Sequence, residues 1–81
     1  MLDMDGFKTW LQENTSYGND SLSDVVSRMK RADRIQPWDD SDTYLFYLEK
    51  QDSFQKLSMS VKSQLRRAVK YYTEFSKSLI S

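Results

Sequence analysis

The apolar residues of this 81-residue chain recur at intervals of three and four along most of its length, the period of a helix buried on one side. Met4, Phe7, Trp10 and Leu11 predict a first helix over about residues 4–14, with Asp3 or Asp5 placed to cap its free amides. The stretch from Asn14 to Asp20, with Tyr17-Gly18-Asn19 in it, has turn chemistry. Leu22, Val25, Val26, Met29 and Ala32 predict a second helix over about residues 21–35. Ser21 and Asp24 offer a capping box at its start, and Pro37 stops it by pushing Gln36 toward extended backbone. A third helix is expected from about Ser41 to Lys50. The acids Asp39, Asp40 and Asp42 cluster with Ser41 where a helix N-terminus favours negative charge, and Trp38 sits just before them as a hydrophobic staple. The run Tyr44-Leu45-Phe46-Tyr47-Leu48 has a length that would also suit a strand; the Tyr44–Leu48 and Leu45–Leu48 spacings select helix. Residues 52–57, with Phe54 and Leu57, are expected as a loop or short turn packed on the core. The fourth helix, over about residues 59–78, is the clearest: Val61, Leu65, Ala68, Tyr72, Phe75 and Leu79 form one seam, and Ser58 or Ser60 caps it.

These elements predict an all-α fold, a compact four-helix bundle forming one domain over residues 1–81. Aromatic residues make up 14% of the chain, and the expected core takes in Phe7, Trp10, Trp38, Tyr44, Phe46, Tyr47, Phe54, Tyr72 and Phe75. Each such ring removes roughly 150–250 Å² from water when buried.

Composition excludes several chemistries. Without cysteine there is neither a disulfide framework nor a thiolate metal site. Without histidine there is no imidazole zinc site and no Ser-His-Asp triad. Asp39, Asp40 and Asp42 lack the spacing of a calcium hand. No enzymatic activity, cofactor or metal is expected. No apolar run approaches the roughly 18 residues a membrane span needs, and no signal peptide is visible, so the expectation is a cytoplasmic protein with no membrane partner.

The formal net charge is zero, yet its distribution is uneven. Residues 1–57 hold 7 basic and 11 acidic residues, whereas residues 58–81 hold 5 basic and 1 acidic. At about 100° per residue, Arg66, Arg67, Lys70 and Lys77 fall opposite the apolar seam of the last helix, with Ser63 among them and Lys62 flanking it. The second helix carries a denser group, in which Lys30, Arg31 and Arg34 point away from the apolar face and Arg28 lies at its edge. One such face is ordinary solvated surface. Two on one small domain point to a polyanion, with arginine and lysine neutralising phosphates and serine hydrogen-bonding to them.

Two stretches of the chain resemble a known family. Phe7-x-x-Trp10-Leu11, followed by Ser21-Leu22-Ser23-x-x-Val26-Ser27-Arg28-Met29-x-Arg31, looks like the opening of the SAM-like core-binding domain of phage integrases, the tyrosine recombinases. Ser58-x-Ser60-x-x-Ser63-x-Leu65-Arg66-Arg67-Ala68-x-x-Tyr71-Tyr72-x-x-Phe75 is similar to that family's last helix. Similar modules stand at the N-termini of some restriction-type nucleases. The resemblance implies four helices in two crossed hairpins and an N-terminal accessory domain of a longer protein. Such a domain clamps one side of double-stranded DNA while another domain performs the cleavage. It carries DNA contact onto Arg28 and Arg31 of the second helix and onto Ser63, Arg66, Arg67 and Lys70 of the fourth. The residue pattern adds Lys30, Arg34 and Lys62. Another domain of the parent protein is a further expected partner. A protein-interaction module, docking its acidic part on the basic part of another copy, is the alternative reading. A small phage-encoded inhibitor is a third.

Overall fold

The computed structural model describes residues 2–79. It is an all-α bundle of five helices: α1 (Met4–Asn14), α2 (Asn19–Ile35), α3 (Tyr44–Lys50), α4 (Asp52–Gln55) and α5 (Met59–Ser78). The expected four are α1, α2, α3 and α5. The fifth, α4, is the short turn anticipated after α3, wound far enough to bury Phe54 at 1% exposure. α2 and α5 share the most extensive helix–helix contact, and α1 packs on both.

α1 begins and ends where its apolar period does. The Asp3 carboxylate accepts from the Gly6 amide at 3.0 Å, satisfying a first-turn donor. At the far end the Thr15 amide and hydroxyl both donate to the Leu11 carbonyl, at 2.9 and 2.6 Å. α2 starts two residues earlier than the sequence pattern predicts. Gly18 precedes it in extended backbone with no side-chain cap, so Ser21 and Asp24 lie inside the helix and form no capping box. Pro37 does end it, with Gln36 extended at φ −139°, ψ 111°.

α3 starts at Tyr44, three residues later than expected, because the acidic cluster shapes the preceding loop instead of capping the helix. The Asp33 carboxylate at the end of α2 accepts from the Trp38 amide at 2.9 Å. Asp39 accepts from the Ser41 amide at 3.0 Å. Asp40, in left-handed backbone at φ 59°, accepts from Trp38 Nε1 and from Ser76 Oγ, both at 2.8 Å. It thereby ties the loop to α5. Trp38 packs edge-on against Tyr44 at 4.8 Å and Tyr72 at 4.9 Å, bridging the α2–α3 loop to the core.

A two-turn helix buries only one stripe, and α3 buries Tyr44 and Leu48. Phe46 and Tyr47, expected in the core, stand 53% and 50% exposed, with Lys50 Nζ 4.2 Å from the centre of the Phe46 ring. The buried Tyr44 hydroxyl donates to the Gln36 carbonyl at 2.5 Å, and burial pushes its pKa well above the ordinary phenol value. α5 is capped by Ser58 Oγ, which accepts from the Val61 amide at 3.2 Å. It buries Leu65, Ala68, Tyr72 and Phe75 as the seam predicts, and Val69 besides. Leu79, the last seam position, is 66% exposed because the helix ends at Ser78, beyond the core.

The two hydrogen bonds to Asp40, from Ser76 first and from Trp38 second, hold its carboxyl below the usual carboxylate range. A depressed folded-state pKa contributes stability that is full above the unfolded pKa, about 3.9, and is lost as pH falls through the folded value. Asn at this position tolerates left-handed backbone but carries no charge. Asp40→Asn should therefore melt below the unaltered protein at pH 6, and the gap should close as the pH falls below the unfolded value of about 3.9. A gap independent of pH would show that the charge of Asp40 is not what stabilises the loop.

Candidate nucleic-acid interface

The nine expected contact residues do not form one surface. They divide according to which neighbour each helix face meets. Arg28 of α2 and Arg67 of α5 line a single small cleft, together with Tyr17, Ser21, Asp24 and Val25. Both helices expose a basic flank beside their mutual contact. Arg31 lies one turn beyond Arg28 on the same flank of α2, and it is exposed. Lys30 and Arg34, also exposed, lie on the opposite flank and line neither concavity.

Arg67 also lines a second, larger concavity of about 850 Å³ between α5 and the start of α3. There the α5 wall carries Arg66, Lys70, Glu74 and Lys77, and the α3 side carries Ser41, Asp42, Tyr44 and Leu45. Because Arg67 borders both spaces, a band of basic side chains runs from Arg28 across Arg67 to Lys70 and Lys77. Glu74 and Asp42 interrupt it.

Arg66 has a different role. Its guanidinium is paired with Glu49 of α3 through Nε and lies 5.6 Å from the centre of the Phe54 ring. That pair is the only ion pair among the described residues. It offsets the charge of Arg66 and fastens α3 and α4 to α5. Lys62 is half-buried near the start of α5, Ser63 is exposed one residue further along, and neither lines either concavity.

The sequence pattern missed two tyrosines. The hydroxyls of Tyr17 and Tyr71 are 3.1 Å apart, and their rings meet edge-on at 6.0 Å. This pair joins the α1–α2 loop to α5 beside the cleft. The hydrogen bond with Tyr17, with burial second, raises the pKa of Tyr71. Tyr17 in a Gly-Asn turn and Tyr71 at the edge of the seam were visible in the sequence, but nothing there linked them.

Among the described residues no group of acidic side chains is arranged to hold a metal ion. No helix among them is long and apolar enough to cross a membrane. No known protein family, curated protein or solved structure matches the chain.

Proposed function

We propose that this domain is a non-catalytic DNA-binding accessory module of an integrase- or recombinase-like protein, seated on the phosphate backbone of double-stranded DNA. The observation that carries this reading is the band through Arg67. Two basic faces separated by some 30 residues of sequence lie on adjacent helices, and Arg67 belongs to the concavity on either side. Among the described residues, Arg28, Arg67, Lys70 and Lys77 have no ion-pair partner, so their charge is available to a polyanion. The likeness of residues 7–31 and 58–75 to the SAM-like core-binding domain supports the same assignment. Base-edge contacts are not part of the proposal, because phosphate contacts position a protein without reading sequence.

Neutralising about four phosphates gives a log–log salt slope of roughly −3.6. Fluorescence anisotropy on a labelled duplex between 25 and 200 mM salt, concentrations chosen for the assay, measures it. Arg67→Gln with Lys70→Gln should weaken binding about tenfold and flatten the slope by about two. Lys30→Gln with Arg34→Gln should change little, since those side chains lie off the band. Equal losses for the two pairs would replace the band with diffuse attraction. No binding at 25 mM would end the proposal.

A further inference from the structure

The cleft between α2 and α5 is more specific than charge neutralisation along a duplex requires. Its volume, about 160 Å³, is several times a water molecule's share of roughly 30 Å³ and suits one compact tetrahedral anion. Two arginines, Arg28 and Arg67, line it, and among the described residues neither has a carboxylate at ion-pair distance. Like charges gathered at one small concavity repel each other, and a bound anion relieves that repulsion. Arginine also presents forked N–H donors that match phosphate oxygens in pairs. Ser21 and Tyr17 also line it, and Tyr17 is held in place by its bond to Tyr71.

Asp24 is the single acidic residue in the lining. It opposes an anion, so its removal makes a test of sign. The shape matters as well. A phosphodiester is tethered on two sides and suits an open groove, whereas a monoester has three free oxygens and can enter a small cleft end-on.

We propose that this cleft is a seat for one phosphate monoester and that its occupant is the 5′-terminal phosphate of a DNA strand. The choice of occupant rests on the DNA-binding reading; the phosphate chemistry rests on the cleft alone.

The test follows backbone amide shifts of the full chain at low salt with four probes. These are inorganic phosphate, one short duplex with a 5′-phosphate, the same duplex with a 5′-hydroxyl, and a phosphoserine peptide. Inorganic phosphate should move the amides of Tyr17, Ser21, Arg28 and Arg67 at millimolar concentration, where chloride at equal ionic strength does not. The phosphorylated duplex should bind roughly tenfold more tightly than its hydroxyl counterpart, as one charge-assisted group added to a complex does. Arg28→Gln should erase that difference, and Asp24→Asn should enlarge it.

If the two duplexes bind alike to the unaltered protein, the 5′-phosphate as occupant is overturned while the DNA-binding reading stands. If neither duplex binds but phosphate still moves the cleft amides, the phosphate chemistry holds and the DNA occupant is overturned. A phosphoserine peptide binding more tightly than the phosphorylated duplex overturns the occupant in the same way. Phosphate shifts no different from those of chloride overturn the proposal entirely. The comparison of the two duplexes uses no variant, so it holds even where a substitution fails to fold.

Discussion

Phe7→Ala is expected to leave the protein only marginally stable at room temperature, with about 1 kcal/mol remaining and a readily measured unfolded fraction. Phe7 is fully buried on α1, the helix that packs on both α2 and α5. Its ring lies edge-on to Tyr72 at 5.0 Å and tilted against Phe75 at 5.8 Å, both on α5. The lost apolar area and the cavity left behind cost about 3–5 kcal/mol for a Phe-to-Ala change in a packed core. A bundle of this size has a total stability of only about 4–6 kcal/mol. Among the described residues no buried polar network compensates, because the buried side chains are all hydrophobic or tyrosine. Phe7→Leu keeps most of the volume and should cost about 1–1.5 kcal/mol, leaving a folded control. Urea denaturation followed by far-UV circular dichroism measures both. A loss under 1.5 kcal/mol for Phe7→Ala, with an unchanged urea slope, would place the centre of the core elsewhere.

What was legible in the sequence follows how local each determinant is. The limits of α1 could be read because the Asp3 cap, the apolar period and the stop at Thr15 all lie within a dozen residues. The seam of α5 could be read over twenty residues because periodicity accumulates with length. α3 was harder. Seven residues give too few turns for a period, and its start was set by Asp40 bonding to Ser76, 36 residues away. Phe46 and Tyr47 looked like core by composition; a two-turn helix packed on one side has no room to bury them. Val69 was passed over because it stands one step off the seam. It is buried at 2% because α5 meets neighbours on more than one side.

The candidate site divides along the same line. That Arg28, Lys30, Arg31 and Arg34 leave the apolar face of α2 follows from helical pitch alone. Which of them faces α5 is a tertiary fact, and only Arg28 shares a cleft with Arg67. Arg66 and Arg67 illustrate the limit most sharply. They are neighbours in sequence, about 100° apart on one helix, and the pattern treats them alike. The fold gives Arg66 to Glu49, 17 residues away, and places Arg67 between two concavities with no ion pair among the described residues. Neutralising or reversing Arg66 therefore disturbs the attachment of α3, so Arg67 is the position that separates binding from folding.

Gly6→Ala is the second large effect expected, and its sign is opposite to helix propensity. In an exposed helix interior the change from Gly to Ala gains about 1 kcal/mol. At this position an added Cβ would meet the carboxylate of Asp3, with Cγ at 2.9 Å and Oδ2 closer still, and Phe75 Cζ at 3.0 Å. Two adjustments are needed. Asp3 can swing away, which gives up its bond to the Gly6 amide and costs about 1 kcal/mol of capping. The Phe75 ring, buried at 3% exposure among Phe7, Trp10 and Tyr72, must give way as well, at an overpacking cost of about 1–3 kcal/mol. With both in play, the net result is a loss of about 1–3 kcal/mol after the propensity gain is subtracted. Chemical denaturation of Gly6→Ala, Asp3→Ala and the double variant separates the two causes. If the clash with the cap dominates, Gly6→Ala costs little or stabilises once Asp3 is already Ala, giving a coupling energy of about 1 kcal/mol or more. If the ring dominates, the two changes add. A Gly6→Ala variant more stable than the unaltered protein would show that α1 can slide away from α5 at negligible cost, and that the contact between Gly6 and Phe75 does not fix the seating of α1 on α5.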